Sequence, residues 1–483
     1  MRKFGFVLAA MLAPGVIFGG ALAADAVKKD QSILDRLYAN TGVYHQAPGA
    51  KMPGFVSDPG WPAPLPHSWV LGQVGGLYVD KHDHIWVYNR PRTMTTDEAA
   101  LDTRGGGNGK NGLGFPRPNG AIADCCNAAP SVLEFDMAGK LLRAWGGPAD
   151  DGWLATHCKE ADGCIWPNSE HGIYVDDQDN VWIAGNGAKP VDPTSSWTTH
   201  PTGGDGFVLK FDMDGNFKMR IGGTPSAPDS NNKDGGINGT PLLYLPADMV
   251  VDKGKLYVAD GYGNRRVLIV DANTGKYIGH FGAYGQNPID DAAAAAGGRW
   301  VVDRLKGVKK PAFFRNPVHC IKIADDGKIY VCDRGNDRIQ VFDNNSAELG
   351  KPCSNPNGEA GKCGFVAEQA ISGNTETIPA MPGTSVSLNF SKDKAQSCLY
   401  VGDNSNMTIY ILNRADLSEL GRLGRNGRNA GQFHWLHQVS LDSHGNIYTA
   451  EVDTGKRVQK FVRYGAMGCT GAGFATVGGV VVK

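Results

Sequence analysis

One pattern returns six times along this chain and constrains its fold more than any other feature. An alternating apolar strand is followed by a tight turn at Asp or Gly, a second strand and a polar turn. The copies begin at Gly75-Gly76-Leu77, His171-Gly172-Ile173, Ala247-Asp248-Met249, His319-Cys320-Ile321, Val386-Ser387-Leu388 and His437-Gln438-Val439. Most copies continue into third and fourth strands. Arg266 to Asp271, a turn at Asn273-Thr274-Gly275 and Tyr277 to Gly282 show this most clearly; Val132 to Gly146, Val208 to Gly222 and Ile409 to Gly424 follow the same plan. No single copy can bury its own core, so the copies must pack on one another. Four antiparallel strands repeated in this way predict an all-β fold, a six-bladed β-propeller. The 66 glycines among 483 residues suit short strands joined by tight turns.

Naming the strands of each blade A to D from the inside outward, the A–B and C–D turns are short. The B–C and D–A connections are long at 91–130, 148–170, 188–205, 224–246 and 286–318. Antiparallel alternation puts all the long connections on one face, where function is expected to gather. The propeller is expected to span 70–483, with 24–69 an extension packed on its outside. Residues 1–23 read as a cleavable export signal: Arg2 and Lys3, an apolar run from Phe4 to Gly20, and the cleavage signature Ala21-Leu22-Ala23. No later stretch is apolar enough to span a bilayer. A periplasmic or secreted protein, free of the membrane after cleavage, is therefore expected. The ten cysteines fit an oxidising compartment. Cys158 with Cys164 and Cys353 with Cys363 are the expected pairs, while the adjacent Cys125 and Cys126 are not assignable. With 48 basic and 49 acidic residues, nothing in the charge calls for a nucleic-acid partner.

Three of the inner strands open with histidine at one register. His171, His319 and His437 each stand ten residues before the strand-B residues Val181, Ile329 and Ile447. Gly75 and Ala247 hold that position in alternate blades. Imidazoles from blades 2, 4 and 6 would converge on the axis and form a three-histidine site with an open position, suited to Zn(2+) or another transition metal. The strand-B ends lie on the same face, so Arg90, Tyr262 and Arg334 should ring the ion. Guanidinium groups suit a carboxylate. A phenol beside cations is expected to have its pKa lowered and to serve as a base.

The segments Leu71 to Arg90, Val258 to Arg266 and Pro317 to Gln340 resemble the peptidyl-α-hydroxyglycine α-amidating lyase family, which is built on NHL repeats; the likeness covers about residues 70 to 465. That resemblance implies a six-bladed propeller with an axial zinc on His171, His319 and His437. It implies catalytic roles for Arg90, Tyr262 and Arg334, and a carbon–nitrogen lyase that yields an amide and glyoxylate from a small-molecule or peptide C-terminal substrate; separately, a monomer is expected. It also implies a Ca(2+) site using carbonyls at Val74 and Ile173, but the carboxylate expected there is Gln438, which removes the charge. Trp435 replaces a methionine beside the substrate, and Gly263 replaces a disulfide cysteine. The natural substrate can thus be another hemiaminal or α-hydroxy acid. The rival readings are a metal-dependent hydrolase or lactonase on the same scaffold, and a non-catalytic repeat protein that binds a partner.

Overall fold

The computed structural model describes residues 42–95, 98, 125–187, 204–289, 312–371, 383–474 and 476–477. The export signal and most of the long connections at 91–130, 188–205 and 286–318 lie outside these residues.

Side chains that the repeat supplies lock the ends of the blades. In blade 1 (Gln73–Val79, Ile85–Arg90, Val132–Phe135, Leu141–Trp145), Asp80 ends strand A. Its Oδ1 accepts the backbone N–H groups of His82 and His84 and so closes the A–B turn, while Oδ2 accepts Trp86 Nε1–H at 2.8 Å. Asp176 does the same for Asn180 and Trp182, and Asp442 for Asn446 and Tyr448. One carboxylate thereby fixes a turn and orients the aromatic ring of the next strand. At the opposite end, ion pairs on buried carboxylates join strand B to strand C or the residue before it: Asp260 with Arg266 and Asp333 with Arg338, both buried, and Glu451 with the partly exposed Arg457. Such pairs hold register because breaking one strands a buried charge.

The strand-B ring is the common currency of the core. Trp86, Trp182, Tyr257, Tyr330, Tyr400 and Tyr448 occupy the same position in the six blades, and each is at most 3% exposed. Large rings fill the wedge between twisted sheets, where burial of each contributes on the order of 2–3 kcal/mol.

Six antiparallel sheets, one per repeat, surround one axis, with strands A innermost and packed on one another. The fold is a six-bladed β-propeller. Its closure differs from the expected wrapping of the N-terminal segment. Gly54–Asp58 pairs with Val458–Tyr464 and is the outer strand of blade 6, after Leu436–Leu441 and Ile447–Glu451. The last blade is thus completed by chain from before the first. Val43–Tyr44 adds a short fifth strand to blade 5 at Leu423 and Arg422.

Five disulfides bind all ten cysteines. The Cys158–Cys164 and Cys353–Cys363 pairs are those expected. Cys125 and Cys126 pair with each other, Cys320–Cys332 crosses strands A and B of blade 4, and Cys398–Cys469 ties blade 5 to the C-terminal tail. This set fits an extracellular or secreted protein. Among the described residues no helix is long and apolar enough to cross a membrane.

Phe55, on the closing strand, is fully buried and meets Tyr400 edge-to-face at 5.9 Å. Phe55→Ala is expected to lower unfolding free energy by about 3–5 kcal/mol, read by denaturant unfolding. A loss under 1 kcal/mol would show that the closure carries little of the stability.

Candidate functional site

The inner strands share an irregularity that aims side chains at the axis. In every blade the A–B register breaks at the second or third residue of strand A: at Gly75, His171, Ala247, His319, Val386 and His437. A bulge at a sheet rim redirects the bulged side chain. Three of the six are histidines, and the structure brings them together. Their ring centroids form a near-equilateral triangle with sides of 5.0, 4.8 and 4.8 Å. All three are buried, and one nitrogen from each lies within 4.8 Å of the others.

The backbone of the following blade orients two of these rings. His171 Nδ1 contacts the carbonyl of Ala247 at 2.7 Å and His319 Nδ1 that of Val386 at 2.5 Å. Spending Nδ1–H on a carbonyl leaves the Nε2 lone pair facing inward, as in metal-bound histidines. His437 Nδ1 has no partner among the described residues. His319 Nε2 and His437 Nε2 lie 3.2 Å apart. Nitrogens held about 2.0–2.1 Å from a shared tetrahedral ion would be roughly 3.3 Å apart. The donor set therefore fits a divalent transition metal.

The electrostatics favour the ligand form of the ring. Burial holds all three imidazoles well below the ordinary histidine pKa; the Arg90 charge adds to this at His171, Arg334 at His319, and the other two histidines at His437. Neutral imidazole is the species a metal requires.

Tyr262 closes the open side. Its hydroxyl lies 3.1 Å from His171 Nε2, 2.9 Å from His319 Nε2 and 3.3 Å from Arg334 Nη1. The expectation of a lowered phenol pKa does not hold for the protein by itself. Burial raises it, and the opposing pull of Arg334 and Arg90 does not overcome that. Arg334 is buried and otherwise donates to the carbonyl of Gly383, with no acidic partner among the described residues. Arg90 donates to the carbonyl of Glu170 at 2.5 Å, to Gln73 Oε1 at 3.0 Å and to Asn186 Oδ1 at 3.3 Å. All of these acceptors are neutral, so Arg90 is fixed in place without its charge being cancelled. Gly75 is small for a reason visible here: a Cβ would overlap the Glu170 carbonyl and stand 3.0 Å from Arg90 Nε.

Gln73, Asn186 and Glu170 belong to the site although no sequence motif marks them. Glu170 directly precedes His171, and its buried carboxylate is held by Ser131 Oγ at 2.9 Å and Trp166 Nε1 at 3.0 Å. Trp435 stands two residues before His437 with left-handed backbone (φ 63°). Its amide points at Met407 Sδ and its ring lies by His434; among the described residues no ring contact joins it to the triad. Val74, Ile173 and Gln438 are buried. Gln438 Oε1 accepts from Ser387 Oγ at 3.0 Å, a neutral link between blades 5 and 6 rather than a carboxylate.

Comparison with known proteins finds an NHL repeat at residues 318–342, which are strands A to C of blade 4. The chain is similar to NHL repeat-containing protein 3 of Mus musculus, at 27% identity over 45% of this chain and 47% of that protein. It is also similar to peptidyl-glycine alpha-amidating monooxygenases B and A of Xenopus laevis. These are 25% and 31% identical, over 54% and 32% of this chain and 27% and 16% of theirs. The chain thus spans less than half the length of each of these relatives. They are distant, and together with the repeat match they support a propeller built on NHL repeats.

Purified protein is expected to hold about one equivalent of a divalent transition metal by elemental analysis, and His319→Ala to lose it. Full metal content in that variant would refute the ligand set. Acid should also act on the metal-free fold. Unfolded histidines take up protons as pH falls through about 6.5, while the buried ring does not. Stability should therefore be complete above that pH and fall below it, by about 1.4 kcal/mol per pH unit for each histidine, until the lowered native pKa is reached. Denaturant unfolding at pH 7.5 and 5.5 measures this, and His437→Gln should lose less on acidification than the parent.

Proposed function

We propose that this protein is an exported metal-dependent carbon–nitrogen lyase acting on an α-hydroxyglycine or similar hemiaminal that carries a carboxylate. One observation carries the reading: a phenol hydroxyl lies within 3.1 Å of two ring nitrogens of a three-histidine cluster and 3.3 Å from a guanidinium that has no acidic partner among the described residues. Distant similarity to the amidating monooxygenases supports it.

Zinc, or another divalent ion held by His171, His319 and His437, would supply Lewis acidity to the substrate's oxygens. The remaining roles fall to the chain. Arg334 and Arg90 bind the substrate carboxylate, since both keep uncancelled charge beside the triad. Tyr262, as phenolate, takes the hydroxyl proton. The carbon–nitrogen bond then breaks as the carbon–oxygen double bond of glyoxylate forms, its electron pair leaves with nitrogen, and the proton passes from Tyr262 to that nitrogen. Arg334, within hydrogen-bond reach of the phenol oxygen, stabilises the phenolate. The substrate is a free small molecule or a peptide C-terminus, and the enzyme acts as a monomer.

Release of glyoxylate from α-hydroxyhippurate by metal-loaded protein tests the assignment. Tyr262→Phe should lower kcat by roughly 10²–10⁴-fold with metal content intact. Arg334→Ala, which removes both a carboxylate contact and the support of the phenolate, should raise KM and lower kcat together. No glyoxylate from the metal-replete parent would sink the lyase reading and leave the metal site standing.

A further inference from the structure

On the lyase reading, Arg90, Arg334 and Tyr262 receive the substrate's carboxylate and hydroxyl. Tyr262 returns a proton to the electron pair of the leaving nitrogen, but the N–H that this nitrogen already carries has been given no acceptor, and the ring geometry supplies one. Blades 3 and 6 stand opposite each other in a ring of six. Strand B of blade 3 ends at Asp260, paired with Pro246, and Tyr262 follows two residues later. Strand B of blade 6 ends at Glu451, paired with Leu436, and Asp453 follows two residues later. Pro246 and Leu436 each directly precede a bulge residue, Ala247 and His437. The repeat therefore sets Asp453 across the axis from Tyr262.

Asp453 differs from the other acidic groups near the site. Asp260 and Glu451 are spent on Arg266 and Arg457. Asp453 is half-buried, and its carboxylate has no hydrogen bond or ion pair among the described residues. Its charge nevertheless acts on both the Tyr262 phenol and the Arg90 guanidinium. The turn that carries it is fixed on both sides. Gly455 N–H donates to the Val452 carbonyl at 2.9 Å, and Thr454 is held by His434 at 2.8 Å and Arg428 at 2.8 Å. Asp453 itself has left-handed backbone (φ 48°), which Asp tolerates better than most residues.

A carboxylate accepts hydrogen bonds and donates none. Facing a site built for an anion, it repels the substrate's own carboxylate and favours a bound pose that turns an N–H toward it. We propose that Asp453 is a substrate-binding residue that accepts the N–H on the leaving-group side of the substrate, opposite Tyr262. This rests on the lyase reading for the identity of that N–H. A leaving group whose nitrogen carries hydrogen is bound; one whose nitrogen is fully substituted is disfavoured.

Hippurate and N-methylhippurate test this without turnover, because both lack the α-hydroxyl. Calorimetry on metal-loaded protein should show hippurate bound about tenfold or more tighter, as expected for a hydrogen bond to a charged group. Asp453→Ala should remove that preference by weakening hippurate alone, and Asp453→Asn, which keeps an acceptor oxygen, should retain part of it. Metal content and circular dichroism establish that each variant is folded, and if the alanine variant fails to fold the asparagine variant carries the comparison. An unchanged preference in the variants, equal affinities in the parent, or no binding of hippurate would overturn the proposal. Glyoxylate release from α-hydroxyhippurate judges the lyase reading separately. An Asp453-dependent preference without glyoxylate release would sink the reaction and keep the contact; release without the preference would do the reverse.

Discussion

Closing six twisted sheets on one axis leaves no room for six large side chains at the point where the inner strands converge. The register break shared by all six strands A falls at the same place in each inner strand, and the three histidines that stand there converge on one small volume. Gly75, Ala247 and Val386 yield the space in alternate blades, and His171, His319 and His437 use it. Two of the three small residues have a second task, because the carbonyls of Ala247 and Val386 orient His171 and His319. The alternation is therefore one of ligand and support rather than of ligand and gap. In blade 1 the support is different: Gly75 leaves passage for Arg90.

The ring, its blade count and its histidines were legible because a repeat carries its own register. Once strand B is aligned, the residue ten positions earlier is fixed in blades 1, 2, 4 and 6, and its chemistry can be compared among them. What stayed hidden depends on contacts between parts that the repeat does not relate. Gly54–Asp58 is five residues long and pairs with strand Val458–Tyr464, some four hundred residues later, so nothing local distinguishes a blade strand from a surface extension. Cys320 and Cys332 look like core apolar residues because they sit inside strands; only the cross-strand register shows them opposite each other. Gln73 and Asn186 are unremarkable amides until Arg90 is seen between them. The Tyr262 phenol shows the same limit in energy terms. Nearby cations were foreseeable, but the burial that outweighs them is a property of the assembled cavity.

The charges around the axis explain why such a site would need an ion and an anion together. Three buried imidazoles, one of them with no partner at Nδ1 among the described residues, gather their ring nitrogens where water is excluded, an arrangement that costs free energy unless those nitrogens are satisfied. A divalent ion would satisfy the Nε2 lone pairs but leave its charge beside Arg334, a buried guanidinium with no acidic partner among the described residues, and Arg90, whose described hydrogen-bond acceptors are all neutral. Asp453 offsets only part of that excess. On the proposed lyase reading, the remainder would be balanced when a substrate carboxylate and an ionised Tyr262 are both present. Binding and base formation would then be coupled: an ion and the guanidiniums that attract the carboxylate would also lower the cost of ionising a phenol that burial alone keeps protonated. A lysine in place of Arg334 would preserve the charge but lose the planar fork that lets one side chain address the Gly383 carbonyl and the phenol at once, so the position is set by geometry as much as by sign.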